Sequence, residues 1–266
     1  MMGRVGRALV WHELVERLRD RWVLVISILF ALLASAVSLY GASAEGAAAT
    51  VTGPSLVTLA SLLVPLVAVV LGHDAIVGER ERNTLGLLLS LPVSKPVVVG
   101  AKFVGRMMAL TVAVGVGIGA AVLVAGEGQG AVLAQLLLPT LLLGAAFLSI
   151  GILISSATTR HVTATSIVVA VWFIMVFFWD LGLLGLLVVT DGQVGQDTIG
   201  WLMWSNPAGL FRVEMMEQFA GPEVLEGLGM TAGLPNDASQ IGLWVGWILG
   251  PLAISALLLA RKKVSS

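Results

Sequence analysis

Apolar residues along this chain come in long blocks, and the polar residues collect between them. Blocks at about 22–43, 55–77, 103–125, 131–156, 162–189 and 240–260 predict six helices. Each is long enough to cross about 30 Å of hydrocarbon at about 1.5 Å per residue. Lipid offers no partner to unpaired backbone groups, so the blocks are read as helical spans, and the alternation of a membrane barrel is not seen. The expected fold is an all-α integral membrane protein, one domain over residues 1–266.

The polar connections predict further elements. Residues 4–21, RVGRALVWHELVERLRDR, place Val5, Leu9, Trp11, Leu14, Val15 and Leu18 at helical spacing, with Arg7, Glu13, Glu16, Arg17, Asp20 and Arg21 mostly opposite. This is an interfacial helix that either anchors the chain or contacts a partner. Between the second and third spans, within residues 78–96, the charges Glu79, Arg80, Glu81 and Arg82 precede Thr84, Leu85, Leu88, Leu89 and Leu91. A short helix with charges at its start and leucines on one face is expected, stopped by Pro92. Lys95 and Lys102 mark the return to the membrane. Floating on the surface and docking a partner fit this pattern equally. Residues 190–239 carry Trp201, Met203, Trp204, Leu210, Phe211, Met215, Met216 and Phe219, which predict short helices in the other interface, where Trp is favoured.

Charge orients the spans. Of the 15 Lys and Arg residues, all but Arg212 lie in the N-terminal segment, the charged island and its flank, the connection at Arg160, or the tail Arg261, Lys262 and Lys263. Basic residues are retained on the cytoplasmic side, so both termini are expected there, in the cell inner membrane. Glu45, Glu127, Asp191, Asp197, Glu214, Glu217, Glu223, Glu226 and Asp237 fall on the opposite side, so the net charge of -1 conceals a strong asymmetry. The first block and its charged leader are both too long for a cleaved signal peptide, and a retained first helix is expected.

Composition and motifs then narrow the chemistry. With 58% hydrophobic residues and a mean hydropathy of +0.98, a soluble domain is excluded; with no cysteine, so are disulfides and thiolate metal sites. The histidines His12, His73 and His161 are scattered, and neither HExxH, GxSxG nor a phosphate loop occurs. No catalytic residue, metal ligand or bound cofactor is expected, nor any nucleic acid, and any ATP must be bound by another chain. Met215 and Met216 beside acids suit Cu(I), although methionine more often fills apolar gaps. Asp74 and Asp180 lie near the ends of spans, too peripheral for a midplane ion site. Arg212, alone among acids, pairs either with a local acid or with a partner. Glycines at close spacing in the third (Gly115, Gly119), fourth (Gly144, Gly151) and sixth spans (Gly242, Gly246, Gly250) suit close helix packing, within the chain or across a dimer.

The stretch DAIVGERERNTLGLLLSLPVSKPVVVGAKFVG resembles the segment between the second and third spans of type-2 ATP-binding-cassette (ABC) permeases. Further stretches, ELVERLRDRWVLVISILFALLA, VWFIMVFFWDLGLLGLLVV, WSNPAGLFR and GMTAGLP, are similar to the members that serve maturation of the copper centres of nitrous oxide reductase. The resemblance implies six spans, an interfacial N-terminal helix, a cytoplasmic coupling helix and short outer helices. It implies a homodimer with a cytoplasmic ABC ATPase (NosF-like), which carries ATP and Mg, and a periplasmic accessory protein (NosD-like), all among membrane lipids. The ATPase-coupling residues would be Glu79, Arg80, Glu81, Arg82, Thr84, Leu85, Leu88 and Pro92. The periplasmic contacts would be Trp204, Asn206, Pro207, Phe211 and Arg212. Asn83 and Ala101 stand where the family commonly has glycine, which puts the turn geometry in question. A type-2 exporter of a lipid, drug or peptide and a non-ABC scaffold or channel are the alternatives.

Overall fold

The computed structural model describes residues 2–18, 28, 31–39, 52–90, 92–124, 129–220 and 235–261. Much of the expected first span lies outside these residues, as do Leu91, Glu45, Glu127, Glu223, Glu226, Lys262 and Lys263. The described part is helical throughout, without a strand. In chain order the helices are α1 (Met2–Leu18), α2 (Thr52–His73), α3 (Val77–Glu81), α4 (Leu85–Ser90), α5 (Lys95–Val124), α6 (Gln129–Gln135), α7 (Leu137–Ala157), α8 (His161–Phe173), a π-helical turn (Ile174–Phe178), α9 (Trp179–Val189), α10 (Gln196–Trp204), α11 (Pro207–Ala220) and α12 (Asp237–Arg261). Among the described residues five stretches are long and apolar enough to cross a membrane: Gly53–Glu81, Lys95–Val124, Leu133–Ala157, His161–Val189 and Asp237–Arg261.

α7 is the centre. Every residue from Leu143 to Ile152 is buried, and α7 packs on α2, α12 and α5. The closest approach is at Gly72 and Gly151, where a Cβ on Gly151 would meet the Val69 carbonyl at 2.8 Å and the Gly72 Cα at 3.0 Å. In lipid, helix association rests on such packing, so this pair sets the α2–α7 crossing. The glycines of α12 behave otherwise: a Cβ at Gly242, Gly246 or Gly250 would meet nothing within 4 Å, and Gly115 and Gly119 are equally open. The α12 triplet, the clearest small-residue pattern in the sequence, therefore does not pack within the described chain.

Two expectations need correction. The third span begins at Lys95 rather than near 103, so α5 carries Lys102 and Arg106 as helical residues. Its 30 residues reach about 45 Å, well beyond the hydrocarbon thickness, which leaves the first turns at the interface. α1 turns part of its charged side inward, while Arg7 stays exposed. Gly6 lies beside Val97, and Val10 and Glu13 lie against Gly105, so α1 runs along the first turns of α5. Glu13 and Arg17, assigned to the solvated face by spacing, are buried, while Trp11 is 65% exposed.

Candidate functional site

The connection between α2 and α5 is built from its own sequence upward. The chain breaks after His73 and restarts as α3. The hydroxyl of Ser155 in α7 accepts from the backbone N–H groups of Ile76 (2.9 Å) and Val77 (3.0 Å), two donors that the new helix start leaves free. At the other end of α3, Asn83 has φ 58, the Asn83 N–H donates to the Arg80 carbonyl, and the Thr84 N–H donates to the Glu79 carbonyl. This is a Schellman cap, which requires a left-handed residue at the position Asn83 occupies. Asparagine enters that region more readily than other residues except glycine, so the departure from the family's glycine preserves the turn.

None of the four charges of the island stands free. Glu79 accepts from Lys102 (2.9 Å) and from the Thr84 hydroxyl. Arg80 donates to the carbonyl of Thr158, and Glu81 accepts from the backbone N–H of His161 (2.6 Å), so both tie the loop to the α7–α8 connection. Arg82 pairs with Glu16 at 3.2 Å. Leu85 and Leu89 pack against the core and Leu88 is half-buried, whereas Leu87 is 74% exposed, beside the open Gly86. Pro92 is exposed just beyond α4.

The ion pairs continue inward and close on themselves. From Glu79 the order runs through Lys102 to Glu13, from Glu13 to Arg106 (3.1 Å), from Arg106 to Asp74, and from Asp74 to Arg17 (3.1 Å). Arg17 contacts Glu16 (3.4 Å), and Glu16 meets Arg82, back in the loop. Acids and bases alternate around the circuit. Arg106 also donates to the Leu71 carbonyl. Burial pushes the Glu13 carboxyl up, but Arg106, Lys102 and Arg17 outweigh it and hold Glu13 below the usual carboxylate range. Hydrogen bonding to Glu16, against some burial, raises Arg82 above its usual value.

Sequence reasoning did not anticipate this circuit. Its trace was a matched spacing: Glu13 and Arg17 four residues apart on one helix, Lys102 and Arg106 four apart on another. The histidines are likewise less scattered than the sequence suggested, for His73 and His161 meet edge to face with ring centroids 4.7 Å apart.

At the opposite end of the bundle, α10 and α11 form a hairpin strapped to the fifth span. Asn206 donates to the Met175 carbonyl (2.6 Å) inside the π-helical turn and accepts from the Ala208 N–H (3.0 Å). A π turn displaces carbonyls from regular pairing, and Asn206 satisfies one of them. Trp179 donates to the Leu202 carbonyl (3.0 Å), and Arg212 grips Asp180 with two nitrogens, one at 2.7 Å. Arg212 thus pairs locally, with an acid from the span. Trp204, Asn206, Pro207 and Phe211 are buried within the chain, and Trp201 is 57% exposed. Met215 is buried among apolar residues, and no cluster of three metal-ligating His, Asp or Glu side chains occurs among the described residues.

Residues 7–264 match the family described as ABC-2 family transporter protein. The chain belongs to this family. It is 36% identical over 258 residues to a "Probable ABC transporter permease protein NosY" of Stutzerimonas stutzeri, covering 89% of this chain and 94% of that one. A protein of the same description from Pseudomonas aeruginosa is 34% identical over 265 residues, covering 95% and 96%. The protein is a NosY-like ABC-2 permease subunit, a multi-pass membrane protein of a family that works with an ATPase and as a dimer. A non-ABC scaffold or channel is thereby set aside.

Proposed function

We propose that this permease couples ATP hydrolysis by a cytoplasmic NosF-like ATPase to a periplasmic NosD-like protein during maturation of the copper centres of nitrous oxide reductase. In this reading the basic end of the bundle, with both termini, faces the cytoplasm. The observation that carries it is the form of the charged loop: every charge is bonded into the chain, and beside the exposed Glu81 and Arg82 it presents an apolar tip, Leu87. A short helix docks on a partner by laying apolar side chains into a hydrophobic groove. Glu79, Arg80, Glu81, Arg82 and Thr84 therefore hold the tip in place, and Leu85 and Leu88 seat it on the bundle.

The outer hairpin carries the other contact. Asn206 and Arg212 fix the hairpin to the fifth span, Pro207 and Phe211 fill its base, and Trp201 in front of Trp204 offers the exposed aromatic surface. The chain itself carries no catalytic group in this scheme.

Leu87→Asp tests the reading. The variant is expected in the membrane at normal levels, because Leu87 contributes little to the core, but without its ATPase after purification and without mature reductase in the cell. Retention of the ATPase together with full maturation would show that the tip is not the docking element.

A further inference from the structure

We propose that the closed circuit of ion pairs welds α1 to the α3–α4 loop and the base of α5, and that Glu13, Lys102 and Arg106 are positioning residues for coupling. This rests on the reading that an ATPase pushes on Leu87.

Three observations carry it. The circuit leaves the loop at Glu79 and returns to it at Arg82, passing through α5 and α1 on the way. A slide of α1 along α5 by one turn, about 5.4 Å, would take Glu13 from between Lys102 and Arg106, leaving buried Lys102 with Glu79 alone and buried Arg106 with Asp74 alone among the acids. Gly105, on the turn between those cations, would place a Cβ 2.6 Å from the Glu13 Cβ and 2.9 Å from the Val10 carbonyl, so the two helices touch through backbone with no side-chain layer to yield. The Schellman cap and the Ser155 contacts remove slack from the loop itself. A displacement at Leu87 is then delivered to α1 and to α5 together. α1 becomes part of the moving body, with Trp11 on its outer side, rather than a passive anchor.

The chain has no cysteine, so paired spin labels at Trp11→Cys and Ser90→Cys report the α1–α4 distance directly. The expected result is one narrow distance in the isolated chain in nanodiscs, unchanged in the ATPase complex with and without vanadate-trapped nucleotide. Glu16→Arg breaks the most exposed link, where an ion pair adds little to stability. It is expected to broaden the distance and lower reductase maturation by roughly tenfold. Reversal of the partner in the same chain, Arg82→Glu, restores both. A nucleotide-dependent shift in the unmodified pair, or a narrow distance and full maturation with Glu16→Arg, overturns the proposal. If no ATPase binds at all, the coupling reading fails, and the distance in the isolated chain, narrow or broad, still decides whether the weld exists.

Discussion

Asn83 shows how much one backbone angle can require. Its φ of 58 closes the Schellman cap, so Asn83→Gly is expected to be neutral or slightly stabilising. Asn83→Val forces a β-branched side chain into the left-handed region and is expected to cost about 1–2 kcal/mol, read as a lowered thermal midpoint. Glu214 offers a second test at this scale. Burial raises its carboxyl above the usual range, partly offset by the Gln240 and Trp244 side chains, and one of its oxygens has no hydrogen-bond partner among the described residues. An acid whose folded pKa is raised favours the fold while protonated, and that contribution is lost as pH rises through the folded pKa. Glu214→Gln is therefore expected to raise the thermal midpoint at about pH 8, with the gain shrinking toward about pH 4. The opposite sign holds for Glu13, whose contribution is present above the ordinary carboxylate pKa and fades as pH falls through its depressed value. Sequence could mark Asn83 as an exception, but its φ goes with the hydrogen bonds that its own N–H and that of Thr84 make back into α3, and those appear only in three dimensions.

At the scale of elements, the break between α2 and α3 depends on a hydroxyl from a distant helix. Ser155→Ala leaves the Ile76 and Val77 N–H groups buried without an acceptor, an expected loss of about 1–3 kcal/mol. Hydrogen exchange should quicken at residues 76–81 and little elsewhere. The outer strap gives a parallel case. Asn206→Ala frees the Met175 carbonyl in the π turn and is expected to raise exchange across 174–178 and lower the thermal midpoint. The α1 helix marks where helical periodicity misleads. Charged residues on one stripe usually face water, and the same stripe faces inward when a second helix presents charges of matching spacing. The glycines repeat the point: Gly72 carried no pattern and makes a backbone-to-backbone crossing with Gly151, whereas a Cβ on any glycine of the regular α12 triplet would meet no neighbour within 4 Å in the described chain.

For the whole molecule, five of the six expected spans coincide with described helices to within several residues, because block length and hydropathy are summed properties that no single contact overrides. The island's position was equally legible, since charges in so apolar a chain must lie at a connection. Its direction was not. Whether Glu79 or Leu87 points outward depends on Lys102, Thr158, His161 and Glu16, residues far apart in sequence. The central claim, that ATP-driven work enters through the tip of α4, is tested most directly by a single cysteine at Leu87 with a short bifunctional crosslinker in native membranes. The account predicts a crosslink between Leu87→Cys and the ATPase that changes in yield on nucleotide binding, with none from Ser239→Cys at the opposite end. Equal crosslinking from both positions, or none from Leu87→Cys in an intact complex, would contradict it.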